Sequence, residues 1–290
     1  MRLASFEVPA RPTGVRTGVV AGGEMVDLTD PGVGLPADMA ELLAGGPSSL
    51  ERAAAAVAGT GRRFPLDAVQ LRAPVPRPPK VLGIGLNYAA HVAETGAARP
   101  EHQVWFNKQR TCVVGPEEAI VIPAVSGQVD YEGELAMVVG RRCHGLSAAD
   151  APGAVAGFTV LNDVSVRDWQ YRVPTWTLGK SFDTHGPTGP WIVTADEIVD
   201  PQDLRLRTWV NDELRQDTST GDMIFSCWEQ LECLSTVFTL EPGDIISTGT
   251  PAGVGMSFDP PRWLVAGDVV RIDIEGVGTL TNPVVGPPGP

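Results

Sequence analysis

Two glutamates with one residue between them, in the segment 129–140 (VDYEGELAMVVG), have a spacing that could do chemistry. The segment has strand character, and in a strand residues i and i+2 share a face with Cα atoms roughly 6.5–7 Å apart. Glu132 and Glu134 then project to one side with Asp130 beside them, while Tyr131, Gly133 and Leu135 take the other. Carboxylates held side by side repel each other unless a proton or a cation lies between them. A third carboxylate would complete an all-oxygen site suited to Mg²⁺ or Mn²⁺, with Ca²⁺ as a further option. Without one, the pair reads as the acidic outer face of an edge strand.

The segment 157–170 (GFTVLNDVSVRDWQ) runs from a hydrophobic strand into polar residues and leaves Asp163 at the strand end. Strand ends and loops are where functional side chains are commonly presented. Arg167 and Gln170 follow at i+4 and i+7, on one face of a helical turn. A second constellation lies in GIGLNYAAHVAE (83–94), where His91 and Glu94 are three apart. On a helical turn the carboxylate can hold the imidazole, which can then accept the proton of a bound water. The alternative is a surface helix with a chance pair.

Other signals fail on inspection. Gly179-Lys180-Ser181 ends like a phosphate loop, but Pro174 stands where the first glycine belongs. Gly83-x-Gly85 follows a strand, yet Tyr88 replaces the third glycine of a dinucleotide fingerprint. Neither G-x-S-x-G nor H-E-x-x-H occurs. His185 is nearer the candidate site than His102 or His144, and structural or surface roles suit all three.

The elements that must position these groups are mostly strands. With 33 glycines and 26 prolines, turns are many and long helices few, which favours a β-rich α+β fold. Strand-like runs recur at VLGIGLNY, AIVIP, VAGFTVLNDVS, LRLRTWVNDEL, DIISTGT and DVVRIDIEGVGTL, with helical stretches at 88–95 and 223–238. Residues 1–72 read as a small N-terminal α+β domain. It has a hairpin at Gly22-Gly23 and two helices within 36–60, broken at Gly45-Gly46-Pro47. The proline-rich 73–80 reads as a linker, 81–285 as the catalytic domain and 286–290 as a loose tail.

A net charge of −13 disfavours nucleic acid and anionic membranes as partners. No apolar run reaches the roughly 20 residues that span a bilayer, and the first ten residues do not form a signal peptide. Cys112, Cys143, Cys227 and Cys233 show no zinc-type spacing and read as thiols of a cytoplasmic protein.

DYEGELA, NDVSVRDWQ, LGKSFDTHGPTGPW and STGTPAGVG, in that order, resemble the fumarylacetoacetate hydrolase family from about Val81 to Pro283. The resemblance implies a mixed β-sandwich roll or barrel, commonly a homodimer, with the divalent metal on Glu132, Glu134 and Asp163. It further implies His91 with Glu94 as the water-activating pair on a lid segment, and Lys180 beside the substrate oxygens. Thr250, Arg167, Gln170 and Lys108 become substrate contacts. The expected partner is a small anionic 2-oxo acid. The expected reaction is hydrolysis of a C–C bond in a 2,4-dioxo acid, of the acylpyruvate or diketo-deoxy sugar acid type, releasing pyruvate. Oxaloacetate-type decarboxylation, and isomerisation or hydration of an unsaturated oxo-diacid, are the alternatives on the same metal. A binding protein without catalysis is the alternative from another class, though no ligand or dyad position is broken.

Overall fold

Alternation within the strand Gly133–Val139 decides the layering. Leu135, Met137 and Val139 join a core with Phe158, Val160, Leu206, Ile272 and Leu280. Ala136 and Val138 point the other way and pack with Leu3, Val19, Val26, Leu42 and Leu43. The strand is buried on both faces, as its unbroken apolar run requires. Each fully buried Leu, Val or Met side chain contributes about 1.5–3 kcal/mol, so this strand anchors both layers.

The computed structural model describes residues 1–9, 14–59 and 61–287. Three residues of the expected tail, 288–290, lie outside them. The main path of the large sheet runs Arg63–Pro65, Glu24–Asp27, Arg16–Ala21, Arg2–Glu7, Gly186–Thr194, Val155–Asn162, Gly133–Val139, Ile245–Ser247, Val81–Gly85, Val104–Lys108. A second sheet packs on it, in the order Glu213–Ser219, Arg205–Val210, Val269–Ile274, Gly278–Val285, Ile120–Val121. Most neighbours are antiparallel, but Ile245–Ser247 runs parallel to Val81–Gly85. This is the β-rich α+β roll the resemblance implies. Among the described residues, no helix is long and apolar enough to cross a membrane.

In the N-terminal part, Gly22 and Gly23 take φ of 58° and 82°, the left-handed pair that closes a two-residue hairpin. Helices Met39–Ala44 and Gly46–Ala58 follow, split at Gly45, with Asp38 capping the first. The strand Arg2–Glu7 pairs with Gly186–Thr194, setting Leu3 opposite Ile192. The sheet and one core therefore run across the proline-rich 73–80 segment.

Two local expectations change. The run 129–140 is not one strand: Val129–Asp130 pairs with Ser165–Val166 in a separate ribbon, and Tyr131–Glu132 form the joint. The Asp130 carboxylate draws the chain aside by accepting the backbone N–H groups of Tyr131, Gly255 and Met256. Nor do Asp163, Arg167 and Gln170 share one helical face, because Ser165–Val166 is extended and the helical turn spans only Arg167–Gln170, while Asp163 follows the strand end as expected.

Candidate active site

Glu132, Glu134 and Asp163 meet where two neighbouring strands end, with one carboxylate oxygen from each within 4.8 Å of the other two. Register explains it. Gly133 stands opposite Asn162, so Glu132 and Asp163 are the next pair along, and the Asp163 N–H donates to the Glu132 carbonyl at 2.9 Å. All three side chains are buried.

Their surroundings differ. Glu132 accepts from Lys180 Nζ at 2.7 Å and pairs with Arg167 Nη1 at 2.6 Å. Asp163 accepts from Lys180 Nζ at 2.7 Å and from Lys108 Nζ at 2.6 Å. Glu134 has neutral donors: the Ser247 hydroxyl and, at 2.8 Å, the Gly249 N–H. Burial works against the charge of Glu132, but Lys180 and Arg167 outweigh it and hold its pKa down at about 2. Burial, then Asp163 and Glu132, push Glu134 well above the usual carboxylate range. Lys180 is also buried, yet Asp163 and Glu132 keep its pKa raised and its ammonium charged.

The donor set fits a hard divalent cation, which favours carboxylate oxygen. Lys180 Nζ already bridges two of the three acids as a positive charge. Four buried carboxylates (Asp130, Glu132, Glu134, Asp163) face three buried cations (Lys108, Arg167, Lys180). A dication added to that balance makes the centre net positive, and attractive to an anion despite the overall charge of −13.

Around it opens a cavity of about 410 Å³, lined by His91, Glu132, Arg167, Gln170, Lys180 and Thr250 together with Leu86, Phe106, Tyr171, Trp176 and Met256. His91 and Glu94 share the helix Ala89–Thr95, with Nδ1 3.2 Å from Oε2. Glu94 is held in turn by the Gly253 N–H at 2.9 Å. Burial would raise its pKa, but the bonds from His91 and Gly253 lower it. Thr250 Oγ1 donates to the Gly133 carbonyl at 3.1 Å and accepts from Gln216 at 2.9 Å. Arg167 donates to Gln170 Oε1 at 2.9 Å.

Lys108, expected as a substrate contact, is outside the lining of this cavity; its ammonium is spent on Asp163. His185 is buried away from it, its Nε2 2.9 Å from the Val121 carbonyl, and burial lowers its pKa to about 4. All four cysteines are free thiols.

Sequence reading set Asp130 on the glutamates' face without its role and passed over Ser247 and Gly249. Asp130 binds Arg167 Nε at 2.8 Å and ties it to the 255–256 loop. Its signal was its place two residues before Glu132. Ser247 and Gly249 hold Glu134 from more than a hundred residues away and carry no local signal.

Residues 80–285 match the family model described as "Fumarylacetoacetate (FAA) hydrolase C-terminal". The mitochondrial oxaloacetate tautomerase Fahd2a of Rattus norvegicus is 42% identical over 98% of this chain and 92% of its own length. The maleylpyruvate hydrolase of Sphingobium sp. SYK-6, solved with manganese(II) ion and pyruvate, superposes with a TM-score of 0.84 at 37% identity, covering 99% of this chain and 100% of that one. A 5-carboxymethyl-2-hydroxymuconate delta-isomerase from Mycobacterium smegmatis gives 0.79 at 38% identity, covering 100% of both chains. With its buried three-carboxylate metal site at the sheet end and a family match over most of its length, the chain belongs to the fumarylacetoacetate hydrolase family.

Proposed function

We propose that this enzyme is a divalent-metal-dependent tautomerase of small 2-oxo acids, moving a proton between C3 and the oxygen on C2. The observation that carries the reading is one cavity holding both an acid–base group, His91, and the cationic partner of an oxyanion, Lys180. A proton shift needs no more than these and the metal site. When bound at Glu132, Glu134 and Asp163, a divalent ion supplies the Lewis acidity that makes C3 protons removable. Glu94 fixes His91 through Nδ1 and leaves Nε2 to take and return the proton. Lys180 donates to the oxygen on which charge develops, and Thr250 and Arg167 orient the substrate carboxylate. The tautomerase among the relatives, which aligns over nearly the whole chain, supports this order of readings.

Hydrolysis of a 2,4-dioxo acid is the second reading, favoured by the manganese- and pyruvate-containing Sphingobium relative. On it the same His91–Glu94 pair activates water. One assay separates them. Loss of the enol of oxaloacetate is followed by ultraviolet absorbance with Mn²⁺, while pyruvate release is measured from oxaloacetate and from an acylpyruvate. The proposal expects faster, EDTA-sensitive enol loss without pyruvate, reduced about 10²–10⁴-fold in His91→Ala. Metal-dependent pyruvate release from the acylpyruvate, with enol loss at the uncatalysed rate, overturns it in favour of hydrolysis.

A further inference from the structure

The Gly83-x-Gly85 pair, which lacks the third glycine of a dinucleotide fingerprint, has a different use. Both glycines lie on one face of the strand Val81–Gly85, two residues apart. A methyl group at Gly83 would stand 2.5 Å from the Phe106 ring, and one at Gly85 would stand 2.2 Å from the Trp176 ring. Each glycine thus seats one aromatic ring against the strand. The two rings lie 5.9 Å apart, tilted at 60°, and both line the cavity beside Ile84 and Leu86. Lys180 Nζ lies 5.0 Å from the Phe106 ring, so this wall begins where the charged end stops.

Two further features mark it as built. Leu86 and Trp176 take φ of 56° and 59°, a conformation that non-glycine residues avoid. Such strain persists where the surroundings over-determine it, commonly at ligand sites. The cavity's volume, about 410 Å³, is also in the range of roughly 300–1,000 Å³ that holds drug-sized ligands. A four-carbon oxo acid would leave much of it empty.

From this wall we infer that the preferred substrate carries a flat, uncharged, apolar group on C3, such as an aryl ring, which packs on Phe106 and Trp176. Trp176 is the specificity-determining residue, and Gly85 is its seat. The charged lining residues Glu132, Arg167 and Lys180 are bound into the carboxylate network at the other end of the cavity. The inference rests on the 2-oxo acid reading of the metal site and refines its substrate class.

The test uses the Mn²⁺-loaded full chain with phenylpyruvate, whose C3 bears a phenyl ring, and with oxaloacetate and pyruvate. Calorimetry gives Kd independently of turnover. Phenylpyruvate is expected to bind at least about tenfold tighter than pyruvate. Trp176→Ala should cut that ratio about tenfold, and so should Gly85→Ala, which displaces the ring without removing it. Trp176→Leu serves if Trp176→Ala does not fold. In turnover, the ratio of kcat/KM for phenylpyruvate over oxaloacetate should fall by a similar factor. Equal affinity for phenylpyruvate and pyruvate in the wild type, or a ratio unmoved in every variant, overturns the inference. Preferential binding of phenylpyruvate without tautomerisation of either acid upholds it and overturns the tautomerase reading instead.

Discussion

The two sides of the carboxylate tripod are built on opposite principles. On one side Glu132 and Asp163 share Lys180 and draw in Arg167 and Lys108, so their charges are matched inside the protein. On the other, among the described residues, Glu134 is held by a hydroxyl and a backbone N–H. Two glutamates separated by a single glycine therefore have pKa values moved in opposite directions. The lesson is that two ligands of one site can be held differently, one matched by fixed cations and the other by neutral donors.

The largest predicted effect should not distinguish the sides. Glu132→Gln and Glu134→Gln should each lower Mn²⁺-dependent turnover about 10²–10³-fold, and EDTA should do the same to the wild type. Steady-state assays decide it, and a Glu134 variant retaining full activity would remove that residue from the tripod.

Stability without metal should separate them. Glu132→Gln strands buried cations and should cost about 3 kcal/mol, whereas Glu134→Gln removes a repelled carboxylate and should be neutral or stabilising. Urea unfolding in EDTA makes the comparison, and equal losses would break it.

The pH profiles should then slope in opposite directions. The folded pKa of Glu132, about 2, lies below its ordinary 4.5. Its contribution is complete above that ordinary value and is lost as pH falls, a swing of about 3 kcal/mol. The folded pKa of Glu134 is raised, so its contribution is present below 4.5 and is lost as pH rises. In metal-free protein, Glu134→Gln should flatten the decline as pH rises above 4.5 and Glu132→Gln the decline as pH falls below it. Denaturant midpoints across pH measure both.

The smallest effect is at Ser247→Ala. Losing one hydrogen bond to Glu134 should weaken Mn²⁺ binding about tenfold, close to 1.4 kcal/mol, with little change in fold stability. A calorimetric titration detects it.

How much of this was legible in the sequence depends on distance along the chain. The i, i+2 pairing of Glu132 and Glu134 and the strand-end place of Asp163 follow from local periodicity, as do the Gly22-Gly23 hairpin and the paired N-terminal helices. Asp130 looked like a third member of the same strand face. The joint at Tyr131–Glu132 turns it to Arg167 instead, and that joint depends on N–H groups of residues 255 and 256. Lys108 carried the right charge for an anion, but register sets it against Asp163, which no spacing reveals. Composition marked a boundary at 73–80 because prolines cluster there. It could not reveal that the first strand pairs with residues 192 and 193.

That last pairing has a consequence for synthesis. The strand Arg2–Glu7 is made well before its partner Gly186–Thr194, which lies nearly two hundred residues later. At about 5–20 residues per second on the ribosome, the early hairpin and its helices wait on the order of ten to forty seconds for that edge. Through that interval Ile192 is not yet available, and Leu3 and Val19 can pack with residues of the early segment, among them Val26, Leu28 and the helical Met39, Leu42 and Leu43. Those helical residues are thus part of a temporary cover for the nascent chain before they join one layer of the finished enzyme.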